Sequence, residues 1–161
     1  MKRSERRADP YRDTQVIDER APRLNQAVVG AVALLGVATG WWWLYALLAL
    51  QLALGLTLGR RWCLACVAYF ELIQPRLGEG RLEDARPPRF ANMVGLGVLT
   101  AATLASLAEL DLLGTALGAL VAALALLAAA TGFCAGCTAY KVGYRLTGRR
   151  FVSCPLPPGP A

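Results

Sequence analysis

Between Leu24 and Gly59 the chain carries no charged side chain. As one continuous helix those 36 residues would reach about 54 Å, against a hydrocarbon core of roughly 30 Å. The run therefore has to fold back. Thr39-Gly40 is the place for it, because Gly ends the first arm and Trp41, Trp42 and Trp43 then lie at the far interface, the depth that indole rings favour. Each arm is about 17 residues, the short end for a span. Two more charge-free runs, Phe90–Ala108 and Leu112–Ala139, make a second block of the same kind. It crosses once, turns through Glu109-Leu-Asp111-Leu-Leu-Gly114, and returns over Thr115–Gly132. With 56% hydrophobic residues gathered in blocks rather than at periodic spacing, the chain reads as all-α and membrane-embedded. Four transmembrane helices are predicted, arranged as two tandem parallel-repeat hairpins, with spans at about 24–40, 42–58, 90–108 and 115–133.

Charge sets the expected orientation. The 17 Lys and Arg fall in three clusters, Lys2–Arg23, Arg60–Arg89 and Lys141–Arg150, and neither hairpin turn contains one. With two spans per block all three clusters lie on one face, which the positive-inside rule makes cytoplasmic. The expected location is the bacterial inner membrane, multi-pass, with both termini cytoplasmic. The net charge of +6 then belongs to a lipid-facing surface and not to nucleic acid. No cleavable signal peptide is visible at the charged N-terminus. Residues 1–16 read as a disordered basic arm, 17–78 as the first hairpin repeat, 79–150 as the second, and 151–161 as a Pro-rich tail.

The repeat is legible residue by residue. Asp18-Glu-Arg20-Ala-Pro22-Arg23-Leu24 precedes the first hairpin and Asp84-Ala-Arg86-Pro-Pro88-Arg89-Phe90 the second. Trp62-Cys63-Leu-Ala-Cys66-Val-Ala68-Tyr69 and Phe133-Cys134-Ala-Gly-Cys137-Thr-Ala139-Tyr140 follow them. Matched positions are 66 residues apart before the hairpins and 71 after, and a longer turn around Glu109 would absorb the difference. A repeat of an even number of spans is parallel and puts both Cys pairs on one face. Packing between the hairpins can be close at Gly114-x-x-x-Gly118, although small residues are common in membrane helices generally.

Histidine is absent, which excludes Ser-His-Asp and Cys-His catalysis, His-ligated haem and His-containing zinc sites. Four of the five cysteines form two i, i+3 pairs, Cys63/Cys66 and Cys134/Cys137. Three uses compete. Each pair can be a redox dithiol, with Cys63 and Cys134 attacking, Cys66 and Cys137 resolving, and Arg60 and Arg61 favouring the Cys63 thiolate. All four thiolates can instead meet on the axis as a tetrahedral zinc or soft-metal site, in a non-enzymatic scaffold. Or the thiols relay soft metal or sulfane sulfur. No cofactor is required by the first use, and static disulfides do not suit a reducing face. The flanking Asp-x-Arg-x-Pro-Arg boxes first suggest structure: Pro22 and Pro88 in first helical turns, Asp–Arg pairs bracing the repeats, Arg on lipid phosphate. Their functional alternative is an anion or partner contact by Arg20, Arg23, Arg86 and Arg89.

Leu82-Glu-Asp-Ala-Arg-Pro-Pro-Arg-Phe90 and Thr131-Gly-Phe-Cys-Ala-Gly-Cys-Thr-Ala-Tyr-Lys141 resemble the bacterial membrane family known as domain of unknown function 4395, over roughly Ile17 to Gly148. The resemblance implies a small multi-span membrane protein associated with thioredoxin-like and sulfur-transfer proteins, and it carries no activity over. The expected function is thiol–disulfide, electron or sulfur exchange with a thioredoxin-like or sulfurtransferase partner; self-association into a homo-oligomer is left open.

Overall fold

The structure, a computed structural model, describes residues 8–146. The expected Pro-rich tail and Cys154 lie outside the described residues. Four helices form the body: α1 (Arg20–Thr39), α2 (Trp43–Thr57), α5 (Arg86–Leu107) and α6 (Asp111–Thr131). Three of them, α1, α5 and α6, are long and apolar enough to cross a membrane. Helix α2 is as apolar, but its 15 residues rise only about 22 Å. Where the sequence predicts four spans, the structure holds three helices long and apolar enough to cross and one shorter apolar helix.

Gly40, in the left-handed conformation at φ 72°, ends α1 as expected. Pro22 and Pro88 stand in the first turns of α1 and α5, where the N–H that proline lacks would have no helical partner. The second turn differs from expectation. Helix α5 runs to Leu107 and α6 starts at Asp111, so Ala108–Leu110 is the whole connection. Gly114 lies inside α6. The turn is no longer than the one at 40–42, and the extra residues of the second hairpin lengthen its helices.

Helix α1 packs chiefly on α6, α2 on α5, and α5 on α6 as well. Their core contains Val29, Ala33, Tyr45, Leu48, Leu52, Leu99, Ala102, Val121 and Ala122. Close approach depends on two glycines. A methyl at Gly30 would stand 2.7 Å from Leu126 Cγ, and one at Gly118 2.5 Å from the Tyr45 ring. The outer faces are apolar too: Leu34, Leu47, Leu50, Leu104, Leu120 and Leu127 are all exposed. A water-soluble bundle does not present such a belt, and lipid accepts it without cost.

At one end of the bundle, β1 (Val16–Asp18) pairs antiparallel with β2 (Leu82–Asp84), with Val16 opposite Asp84, Ile17 opposite Glu83 and Asp18 opposite Leu82. Asp18 Oδ1 accepts the Arg20 N–H at 3.0 Å and Asp84 Oδ1 the Arg86 N–H at 2.9 Å, the same side-chain turn leading into α1 and α5. Beneath this ribbon lie a short 3₁₀ turn (Arg60–Trp62), α3 (Leu64–Ala68), a π turn (Tyr69–Ile73) and α4 (Gln74–Leu77). After α6 comes α7 (Ala135–Leu146), docked on α5 through Phe90 and Tyr140, whose ring centroids are 5.5 Å apart.

Residues 8–15, read from sequence as part of the disordered arm, follow a hydrogen-bonded path in the structure. Asp9 Oδ1 accepts the Tyr11 and Arg12 N–H groups. Arg60 clasps the segment by donating to the carbonyls of Pro10, Asp13, Thr14 and Val16 at 2.7–3.3 Å.

Two thiol pockets at one end of the bundle

Both Cys-x-x-Cys pairs sit at helix N-termini, where backbone N–H groups are unpaired and the helix dipole favours negative charge. Cys63 is the N-cap of α3, and its Sγ accepts the Cys66 N–H at 3.4 Å. Cys134 immediately precedes α7 and accepts the Cys137 N–H at 3.3 Å. All four are free thiols.

The electrostatics separate the two members of each pair. The Cys66 thiol donates to Cys63, and against the opposing effect of burial this brings Cys63 down to about 7, helped by the Cys66 and Ala65 N–H groups and the Gln51 amide. Cys134 comes down to about 6 through the Cys137 thiol, the Cys137 and Gly136 N–H groups and the Lys141 charge. Cys66 and Cys137, each beside a thiolate and buried, are pushed up. Each pair therefore holds one acidic thiol and one that keeps its proton.

Arg60 and Arg61 do not make the first thiol acidic. Arg60 is committed to the four carbonyls of the N-terminal segment, and its charge acts on Cys66. Arg61 stands 5.1 Å from the Tyr11 ring centroid. Cys63 is made acidic chiefly by the Cys66 thiol, with the Cys66 and Ala65 N–H groups and the Gln51 amide, and burial works against them.

The four thiols do not converge on one site. Among the described residues no group of three or more Cys, Asp or Glu is placed to hold a metal, so the shared four-cysteine zinc or soft-metal site is not formed. The reason is the entry of α1 and α5. Pro22 and Pro88 line both pockets and stand between them. One side is a cavity of about 340 Å³ containing Cys63, Cys66, Asn25, Gln51, Arg89 and Asn92. The other, about 90 Å³, contains Cys134, Cys137, Arg23, Gln26, Glu19 and Glu83.

The boxes divide likewise. Arg86 forms a forked pair with Asp84, Nη2 to Oδ2 at 2.7 Å and Nε to Oδ1 at 3.0 Å, and Arg20 starts α1 from the Asp18 turn. The Arg86 side chain thereby braces the ribbon, while the Arg20 backbone closes the Asp18 turn. Arg23 and Arg89 instead line the thiol pockets, each beside the Cys pair of the other half. A side chain at Gly132, itself left-handed at φ 75°, would collide with the Arg23 guanidinium.

The polar neighbours of Cys63 are less visible in the sequence. Its Sγ donates to Asn25 Oδ1 at 3.6 Å, Gln51 Nε2 approaches at 4.0 Å, and Asn25 Nδ2 reaches Asn92 Oδ1 at 3.4 Å. Gln51 inside an apolar span is the clearest signal, with Asn25 and Asn92 at the entries of two others.

A family model described as Domain of unknown function (DUF4395) matches residues 17–145. Searches of the curated proteins and of the solved structures find no match to the chain.

Proposed function

Because the chain belongs to the DUF4395 family, which assigns no activity, we propose from its own residues that it is a membrane thiol oxidoreductase of the cytoplasmic face, exchanging disulfides with a thioredoxin-like partner. The carrying observation is the split within each pair, a low first thiol and a raised second one at a helix N-terminus. In the forward step Cys63 or Cys134 thiolate attacks a disulfide, its S–S bond breaks, and the departing sulfur leaves as a thiolate. The resolving Cys66 or Cys137 then attacks the mixed disulfide, its proton going to the second leaving thiolate. The pair ends oxidised and the substrate disulfide reduced.

The membrane setting rests on the three long apolar helices and the exposed leucine belt. Helix α2 serves as a short fourth span, anchored by Trp41, Trp42 and Trp43, with local thinning of the bilayer over its length. A duplicated hairpin accounts for the ribbon register, in which Ile17 faces the residue 66 positions on, and for the crossed packing of α1 on α6 and α2 on α5. The basic clusters then lie on one side, with both termini in the cytoplasm of a bacterial inner membrane.

The test is a thiol count in purified membranes before and after mild oxidant and reductant, with trapping on a thioredoxin whose resolving Cys is changed to Ser. Reversible loss of two thiols per pair and a mixed disulfide that vanishes in Cys63→Ser plus Cys134→Ser are expected. Thiols that neither oxidise reversibly nor trap the partner would sink the proposal.

A further inference from the structure

The two pockets share a set of matched positions but differ in charge. At an offset of 66 residues, Arg89 answers Arg23, Asn92 answers Gln26, and Pro88 answers Pro22. Two matched positions differ in charge: Ile17 and Ala85 line the Cys63 pocket where Glu83 and Glu19 line the Cys134 pocket. The larger pocket therefore holds Arg60 and Arg89 with no carboxylate on its wall, whereas at the smaller one Glu19 and Glu83 offset Arg23 and the nearby Lys141.

Access differs as well. Cys63 and Cys66 are 6% and 8% exposed, too deep for the surface of another protein, and Cys63 is reached through the cavity. The about 340 Å³ of that space falls within the range of small-molecule sites, roughly 300–1,000 Å³. Cys134 and Cys137 are half-buried beside the smaller pocket, nearer the surface than Cys63 and Cys66, so theirs is the pair a protein disulfide can approach. Asn25, 2% exposed, together with Gln51 and Asn92 supplies amide groups around the attacking sulfur.

Resting on the exchange chemistry proposed above, we propose that the Cys63 cavity is a site for a low-molecular-weight, carboxylate-bearing disulfide, while the Cys134 pair serves the protein partner. The substrate carboxylate lies toward Arg89 at the mouth and its sulfurs toward Cys63. Cys63 thiolate attacks one substrate sulfur, the S–S bond breaks, and one carboxylate-bearing thiolate departs. Cys66 thiol attacks Cys63 Sγ, giving its proton to the second departing thiolate. The small disulfide is reduced to two thiols and the Cys63–Cys66 pair is oxidised; two such thiols entering the cavity run the exchange in reverse.

The experiment uses full-length protein in lipid nanodiscs, with either the Cys63/Cys66 or the Cys134/Cys137 pair retained and the other cysteines changed to Ser. Rates of oxidation of the retained pair, read by mass spectrometry as the loss of two free thiols, are measured with dianionic dithiobis(nitrobenzoate) and dicationic cystamine. The anionic-to-cationic rate ratio at Cys63 is expected to exceed that at Cys134 by about tenfold or more, the scale on which a one-sign cleft concentrates a counter-charged ligand. Arg89→Gln should collapse that ratio and Arg89→Lys preserve it. Ala85→Glu, which brings the smaller pocket's carboxylate into the larger, should lower it and does not depend on Arg89. Equal ratios at the two pairs, a Cys63 unreactive toward both probes, or a ratio indifferent to both Arg89→Gln and Ala85→Glu would overturn the inference. Reversible oxidation and thioredoxin trapping, read separately, would survive that failure; their loss would instead remove the exchange function itself.

Discussion

At the scale of single residues, the first cysteine of each pair is set by its neighbours more than by remote charge. Cys63 is held near 7 chiefly by the Cys66 thiol. Its folded value is depressed, so ionisation stabilises the folded protein above the ordinary thiol range, and that contribution is lost as pH falls through about 7. Cys66→Ala removes the principal donor, and Cys63 should return toward an unperturbed thiol. Its alkylation rate by iodoacetamide at neutral pH is then expected to fall about tenfold; an unchanged rate would assign the effect to the helix N-terminus alone. Asn25 gives a second handle, because it touches Cys63 Sγ from a buried position. Asn25→Asp puts a carboxylate against the thiolate, and the ultraviolet thiolate absorbance should titrate at least one unit higher in pH.

At the scale of elements, Arg60 makes more bonds to the short N-terminal segment than any other described side chain, beside Glu71 on the Tyr11 hydroxyl and Glu79 on the Ala8 N–H. Arg60→Gln strips charge-assisted bonds from the carbonyls of Pro10, Asp13, Thr14 and Val16. On the order of 3 kcal/mol of local stability should go with them, read as faster amide exchange over residues 8–18 with the helices α1 and α6 unaffected. Between helices, Gly118 admits the Tyr45 ring. Gly118→Val should cost about 1–3 kcal/mol by overpacking, seen as a lower unfolding midpoint, whereas the same change at Gly97, which has open space around it, should cost less. The helices were legible because hydrocarbon demands long charge-free runs, and the hairpin entries because Pro and Asp mark first turns. The strand ribbon was not legible: three residues per strand are too few for a period-two pattern, and the pairing is fixed by where the helices bring their ends. The same holds for the separation of the two thiol pairs. Sequence spacing put them on one face, but only the packing of α1 and α5 decides that Pro22 and Pro88 come between them.

At the scale of the whole molecule, the proposed topology predicts that both thiol pockets and the loop at Gly78–Gly80 face the cytoplasm, with Trp41 and Glu109 opposite. Single cysteines placed at Thr39 and Glu109 in a Cys-free chain should react with an impermeant maleimide from the outer side of intact cells, and one at Gly80 only in inverted vesicles. Labelling of Gly80 from outside would reverse the orientation; labelling of Thr39 and Glu109 from different sides would make the number of spans odd. The ribbon has one more implication. Its middle rung joins Ile17 to Glu83, positions that answer each other at the 66-residue offset. Were the two halves separate identical subunits, that rung would set a side chain against its own copy, and any change there would strike both pockets at once. Two Glu at the rung would repel, and two Ile would leave both pockets without that carboxylate. Joined in one polypeptide, the halves escape this constraint. On the proposed duplication, a mismatch at the centre of the ribbon is free to persist, and through it two matched clefts can come to differ in taste.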